Sequence, residues 1–143
     1  MDYELIEDIT HADVAVRVRG ASYSELFVKS GRALMSEMVE NPGDISPLVI
    51  KEGVLSGDNI ELLFFEFLNE ILFFKDAESL LLLPDNISVT DNESVYKCSF
   101  RLAGEKIIRE KHIFRVDVKA VTMHGLRIYK ENDLFVAETV FDV

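Results

Sequence analysis

Residues 58–75 read DNIELLFFEFLNEILFFK and have the clearest periodicity in the chain. At about 100° per residue, the glutamates fall on one half of a helix and most of the leucine, isoleucine and phenylalanine side chains on the other. Asp58 is a typical N-cap residue, and Lys75 suits the negative end of the helix dipole. The run predicts an amphipathic helix from Asp58, as its N-cap, through Phe74.

Two apolar residues of this helix, Leu62 and Phe73, fall within its polar half. Either a partner or a neighbouring strand of the same domain could cover them. We favour the strand, because large elements of small domains bury most of their girth. A membrane span is excluded, because the apolar run is too short and contains Glu61, Glu66 and Glu70.

Upstream of the helix the chain alternates between strand and helix patterns. Asp13 to Arg19 has polar and apolar residues in alternation, which predicts a half-buried strand. Ser22–Glu25 fits a capping box and opens a predicted helix over about residues 23–40. Asn41-Pro42-Gly43 ends this helix, and Leu48–Leu55 has the pattern of another strand.

Downstream of the helix the chain consists mostly of strand patterns and turn signals. The predicted strands are Leu80–Leu83, Ile87–Thr90, Val95–Leu102, Lys106–Arg109, Phe114–Thr122, Leu126–Lys130 and Phe135–Val140. Consecutive strands favour antiparallel pairing. The order of elements predicts an α+β fold in which two main helices pack on a largely antiparallel sheet.

Composition bounds the organisation of the chain and its partners. A chain of 143 residues that is 48% hydrophobic fits one domain, residues 1–143. Its net charge of −11 makes strong direct binding to nucleic acid unfavourable and favours a basic or metal-bearing partner. The opening residues 1–4 lack the features of a secretory signal, so we expect a cytoplasmic protein. Cys98 is the single cysteine, so neither an internal disulfide nor a thiol zinc cluster is expected.

Few local motifs point to chemistry. Gly53 and Gly57 do not form a phosphate-binding loop or a dinucleotide fingerprint. His11, His112 and His124 are too dispersed for a helical metal clamp. His11 and Asp13 lie on the same side of a strand and could share a ligand, although a turn histidine beside a capping aspartate has the same pattern.

The end of the chain offers hard oxygen ligands. Asp142 precedes Val143, whose terminal carboxylate adds a second acidic group. Calcium and magnesium prefer such oxygens. An ordinary acidic tail has the same composition, so these residues alone leave both interpretations open.

Four segments, in order along the chain, resemble the archease family. They are Thr10–Val14, Asp58–Phe74, Val118–Leu126 and Val140–Val143. Shorter matches are Ser22–Phe27 and Lys111-His112, which lies seven residues before Lys119. The most specific matches are the run Val-Lys-Ala-Val-Thr at residues 118–122 and the Phe-Asp-Val ending.

The resemblance implies a cytoplasmic accessory protein that is not itself an enzyme. Such a protein activates the GTP-dependent tRNA-splicing ligase by promoting guanylylation and turnover of its catalytic subunit, and broadens the ligase's nucleotide specificity. The family also implies a divalent cation, calcium being the expected one, at Asp13, Asp142 and Val143. Its functional lysine maps onto Lys119, which would contact the ligase, with His124 as a companion.

The chain departs from the family pattern at two places. The family usually reads Asp-His-Thr-Ala-Asp where this chain has Ile9-Thr10-His11-Ala12-Asp13, so the histidine is shifted by one position. His11 and the upstream Asp8 are therefore secondary site candidates. Met123 stands where an aromatic residue is common.

Two other classes of function fit parts of the pattern. In a metal-dependent hydrolase, Asp13 and Asp142 would hold the metal while His11 or His124 moves protons. A general chaperone or modulator of RNA- or DNA-processing proteins would bind through the apolar surface around Leu62 and Phe73. The oligomeric state stays open.

Overall fold

The computed structural model describes residues 2–6 and 13–143, and it confirms the predicted α+β class. The elements, in chain order, are β1 Tyr3–Ile6, β2 Asp13–Gly20, α1 Tyr23–Met38, a short 3-10 turn Pro42–Asp44, β3 Val49–Gly57, α2 Ile60–Glu78, β4 Leu80–Asn92, β5 Val95–Lys106, β6 Ala120–Glu131 and β7 Leu134–Asp142.

The described strands form two antiparallel sheets. One has the order β1-β2-β7-β6, and the other has the order β3-β5-β4. The first sheet pairs strands from opposite ends of the chain, because β2 lies beside β7. This pairing brings the start and the end of the chain together, and it positions the candidate site.

Aromatic side chains join the two helices to the smaller sheet. The ring of Phe27 in α1 lies 5.4 Å from that of Phe64 and 5.3 Å from that of Phe67 in α2. The ring of Phe67 lies 6.5 Å from that of Phe100 in β5. The core extends without a break to Phe141 in β7. The helices therefore pack against both sheets through one hydrophobic cluster.

The predicted capping box at the start of α1 is confirmed. Ser22 Oγ accepts a hydrogen bond of 3.1 Å from the backbone N–H of Glu25. The Glu25 carboxylate accepts a hydrogen bond of 3.0 Å from the N–H of Ala21, which is one residue earlier than the donor in the usual motif. Cys98, which falls in the predicted strand Val95–Leu102, is buried in β5, and burial raises the pKa of its thiol to about 12.

The predicted bounds of α2 were wrong at both ends. Asn59, and not Asp58, is the N-cap. Its Oδ1 accepts a hydrogen bond of 2.9 Å from the N–H of Leu62. Asparagine and aspartate cap helices about equally well, so composition does not distinguish them. The helix continues past Phe74 to Glu78 and ends at Ser79 in the left-handed conformation.

The prediction that a strand covers Leu62 and Phe73 was also wrong. Their exposed fractions are 43% and 57%. The flanking strands contact the sides of α2 instead: Glu61 accepts from the N–H of Ile128 in β6, and Lys51 in β3 pairs with the far end of the helix at Glu78. The side of α2 that carries Leu62 and Phe73 is exposed.

Several strand predictions need correction. Leu80–Leu83 and Ile87–Thr90 belong to one strand, β4, with an irregularity between Pro84 and Asn86. No strand covers 107–119, because β5 ends at Lys106 and β6 begins at Ala120. This segment, which we call the connecting segment, has apolar residues, but it is held by a turn, by side-chain contacts and by a single β-bridge between Phe114 and Val39 instead of a ladder.

The short strand β1 was not predicted. It has only four residues and exposes two of them, so it lacks a clear alternation. The buried Tyr3 hydroxyl donates to the Glu37 carboxylate in α1, which ties the strand to the helix. Burial is the main reason why the pKa of Tyr3 is raised.

Phe67 and Phe73 provide a matched test of this core, since both are phenylalanines on α2. Phe67 is fully buried and Phe73 is exposed. We expect Phe67→Ala to lower the free energy of unfolding by about 3–5 kcal/mol, because it opens a cavity at the aromatic contact. Phe73→Ala should change it by about 0.5 kcal/mol or less. Urea unfolding measures both, and equal losses would contradict this packing.

Candidate functional site

The pairing of β2 with β7 places Asp13 directly opposite Asp142. The register is continuous from the Asp13–Asp142 pair to the Gly20–Phe135 pair. Residues that are directly opposite each other in antiparallel strands project to the same face, with Cβ atoms about 5 Å apart. The two aspartates that were predicted to share a site therefore lie side by side, although 129 positions separate them in sequence (142 − 13).

This pair is electrostatically unfavourable by itself. Like charges directly opposite each other destabilise a sheet. Within residues 2–6 and 13–143, no lysine or arginine forms an ion pair with either carboxylate. Asp142 is exposed and Asp13 is partly buried. A cation or a basic partner group would relieve the repulsion.

The carboxyl end of the chain is anchored beside this pair. Phe141 is fully buried, and Val143 packs against the core. Alternation along the strand turns Asp142 to the opposite face from its neighbours. The two apolar residues thus hold Asp142 in place at the end of β7.

Lys119 lies at the same end of the sheet. Its backbone N–H donates a 2.8 Å hydrogen bond to the carbonyl oxygen of Asp142, just before β6 begins. The next residue, Ala120, is the Cα partner of Asp142. Lys119 is exposed. The structure therefore brings Lys119, Asp13, Asp142 and Val143 together.

His124 lies further along β6. It is exposed in the irregular stretch between Thr122 and Arg127, and its backbone N–H donates a hydrogen bond of 3.0 Å to Thr122 Oγ1. The next residue, Gly125, has a φ of 76°, which favours glycine. Since Thr122 pairs with Val140, His124 lies two residues beyond that pair and away from the Asp142 end.

Asp8 and His11, the secondary candidates, lie outside the described residues. Within those residues, no group of three or more His, Cys, Asp or Glu side chains could hold a metal ion. The described side chains at this site thus supply one pair of carboxylates, Asp13 and Asp142. No helix in the described ranges is long and apolar enough to cross a membrane.

A buried polar cluster fixes the start of the connecting segment, and the sequence patterns did not reveal it. The Glu105 carboxylate accepts from Lys111 Nζ at 2.7 Å, from the N–H of Ser46 at 2.9 Å and from His112 Nε2 at 3.0 Å. His112 Nδ1 accepts from the N–H of Ile108, so Nε2 carries the proton. The bonds from Lys111 and then Ser46 are the main reason why the pKa of Glu105 is lowered to about 2.

The rest of the connecting segment follows the end of α1 and then reaches Lys119. The N–H of Glu40 donates to Ile113, and the N–H of Arg115 donates to Met38. Lys75 of α2 then binds the segment at Asp117 and Val118, directly before Lys119. In sequence, Lys75 indicated only a favourable charge near a helix end. Contacts between distant residues of this kind leave no local pattern.

Comparison with known proteins identifies the family. The sequence profile of the Archease protein family (MTH1598/TM1083) matches residues 3–143. The chain belongs to the archease family. It is 31% identical to protein archease of Pyrococcus abyssi over 92% of this chain and 93% of that protein. It is 32% identical to protein archease of Pyrobaculum calidifontis over 92% of this chain and 90% of that protein.

Solved structures with the same fold are known. The solution structure of Methanobacterium thermoautotrophicum protein 1598 has a TM-score of 0.84 at 24% identity and covers 99% of each chain. The crystal structure of TM1083 of Thermotoga maritima, described as an archease and possible chaperone, has a TM-score of 0.60 at 22% identity and covers 98% of each chain. At these identities the likeness shows the fold alone.

The depressed pKa of Glu105 predicts a pH dependence of stability. A carboxyl group whose pKa falls from 4.5 when unfolded to about 2 when folded stabilises the fold above the unfolded value. That contribution is lost as the pH falls from 4.5 towards 2. Glu105→Gln should therefore unfold more easily than the wild type at about pH 6, and the difference should shrink at about pH 3. A difference that stays constant in urea unfolding would contradict the assignment.

Proposed function

We propose that this chain activates the GTP-dependent tRNA-splicing ligase, as the archease resemblance implies, and that it does so with a bound divalent cation. The observation that supports this most directly is the cross-strand pair of Asp13 and Asp142 next to Lys119. It combines two directly opposed carboxylates with an exposed lysine at one end of one sheet. The protein would promote guanylylation of the ligase's catalytic subunit without taking part in the chemistry.

The residues present fit a hard cation such as calcium. Asp13, Asp142 and the carboxylate of Val143 all offer oxygen ligands, which calcium prefers. A cation would also remove the repulsion between the two directly opposed carboxylates. Calcium takes six to eight oxygens, so main-chain carbonyls, water or the partner would supply the rest. Asp8 and His11 are further candidates.

Lys119 suits a contact with the ligase. Its ammonium group could bind phosphate oxygens or carboxylates at the ligase's metal-nucleotide centre. His124 is exposed further along β6, and we expect it to be a companion contact. To raise turnover, the protein must bind a competent ligase conformation more tightly than the others and then leave. We therefore expect substoichiometric amounts of the protein to be sufficient. We expect it to act in the cytoplasm.

The ligase assay tests the site and the function together. Multiple-turnover RNA ligation by the matching ligase, with GTP and a divalent metal, would be measured with wild type, Asp142→Ala and Asp133→Ala. Asp133 is an exposed acid in the β6–β7 turn and serves as the matched control. Wild type and Asp133→Ala should stimulate ligation, and Asp142→Ala should not.

The cation affinities of the same proteins would be measured by calorimetry. Losing a direct ligand should weaken calcium binding by more than about tenfold, because replacing a residue that only holds a ligand in place already lowers metal affinity by about that factor. Absence of stimulation by the wild type would refute the proposed function. Full stimulation by Asp142→Ala would refute the site but leave the function standing.

A modified carboxyl terminus tests the role of Val143 separately. An added C-terminal tag converts the terminal carboxylate to an amide, which removes one negative charge beside Asp142. We expect weaker calcium binding than in a protein tagged at the other end. Equal affinities of the two tagged forms would show that the terminal carboxylate is dispensable.

A chaperone-like binder is the second candidate, and the exposure of Leu62 and Phe73 favours it. The Thermotoga maritima protein is described as a possible chaperone. In this case Phe73→Ser should abolish partner binding, whereas Asp142→Ala should leave it unchanged. Binding of the ligase that depends on Asp142 and not on Phe73 would exclude this alternative.

A further inference from the structure

We propose that Lys75 is a positioning residue that holds Lys119 and the main chain of Asp142 in the geometry that the cation site needs. This inference rests on the proposed function for its purpose. Its structural part, the fixing of the end of the connecting segment, can be tested without cation or ligase.

The ammonium group of Lys75 is buried and fully paired. Only 7% of the residue is exposed. Its Nζ lies 2.8 Å from Asp117 Oδ1, 2.9 Å from the carbonyl oxygen of Val118 and 3.2 Å from Asp76 Oδ1. An ammonium group has three donors, and three oxygens surround this one. Burial of a lysine is costly unless it is paired in this way.

A role at the helix terminus does not account for this arrangement. α2 continues to Glu78, so Lys75 lies within its last turn. A lysine that serves only the helix dipole gains as much from an exposed position, where its charge stays hydrated. Lys75 instead points into the protein and binds residues 42 and 43 positions away, Asp117 and Val118.

The contacts of Lys75 lead directly to the site. Val118 is fully buried, and its carbonyl oxygen accepts from the lysine. The following residue is Lys119, whose N–H donates to the Asp142 carbonyl oxygen. These bonds form a continuous path from α2 to the acidic end of β7. Without the lysine, the Val118 carbonyl would lose a buried partner, and the short stretch before β6 would lose this attachment to α2.

A neighbouring lysine supplies the matched control. Lys106 Nζ also donates to a main-chain carbonyl at the end of α2, that of Glu78, at 2.7 Å. Its side chain has no hydrogen bond or ion pair with residues 117–119, all of which the structure describes, and it is exposed. Lys106→Met therefore removes the same charge and the same kind of bond near the same helix end, but leaves the path to Lys119 intact.

The experiment compares wild type, Lys75→Met, Asp117→Asn and Lys106→Met. The first readout is hydrogen exchange of the Lys119 amide, followed by NMR in the absence of calcium. The second is calcium affinity by calorimetry. Asp117 is included because its side chain is 74% exposed, so its replacement does not threaten folding.

The expected result is faster exchange at Lys119 in Lys75→Met and, to a smaller extent, in Asp117→Asn. Calcium binding should weaken in the same order, by about tenfold for Lys75→Met, the lower end of the range for outer-shell residues. Lys106→Met should match the wild type. A merely structural lysine would lower the unfolding temperature without changing the calcium affinity or selectively exposing Lys119.

Unchanged Lys119 exchange in Asp117→Asn and in folded Lys75→Met would overturn the proposal, and if Lys75→Met does not fold, Asp117→Asn alone decides. If Lys119 exchanges faster in the variants but the wild type binds no calcium, the cation site is refuted and the structural role of Lys75 stands. The two failures are therefore distinguishable.

Discussion

The antiparallel pairing of β2 with β7 is the constraint on which the candidate site depends. It is a ladder between the two ends of the chain, and it fixes Asp13 opposite Asp142 in a single register. A slip of one residue would turn one aspartate toward the core, so burial of Val16 and Phe141 enforces the register. The electrostatic cost of the acidic pair is thus imposed by the hydrophobic core.

The remaining architecture serves to hold this ladder and its neighbour in place. The aromatic contacts between Phe27 and Phe67 bind the helices into one core with both sheets. The connecting segment, which has no strand of its own, is attached first at Glu105 and last at Lys75. Lys119 therefore reaches the site on a chain that is fixed at several points, even though its side chain is exposed.

The sequence predicted those features that have a local pattern. The capping box at Ser22, the periodicity of α2 and the alternation of β2 each depend on residues close together in the chain, and each was found. Asp13 and Asp142 were candidates from their residue types alone, and the family resemblance implied that they share a site and added Lys119. The strand register places the two aspartates opposite each other. The cluster at Glu105 and the buried Lys75 had no local signal, because their partners lie far away in sequence. The prediction that a strand covers Phe73 was wrong, because the helical periodicity of a sequence does not show where the flanking strands end.

The most direct test of the cation pair is the calcium dependence of thermal unfolding in wild type and in an Asp13→Asn, Asp142→Asn double variant. Without calcium, the variant should be the more stable protein, because the repulsion between opposed carboxylates is gone. Saturating calcium, at about 100 times the dissociation constant, should stabilise only the wild type, by about 2.7 kcal/mol. A wild type that does not respond to calcium, or a double variant that responds equally, would contradict the central claim.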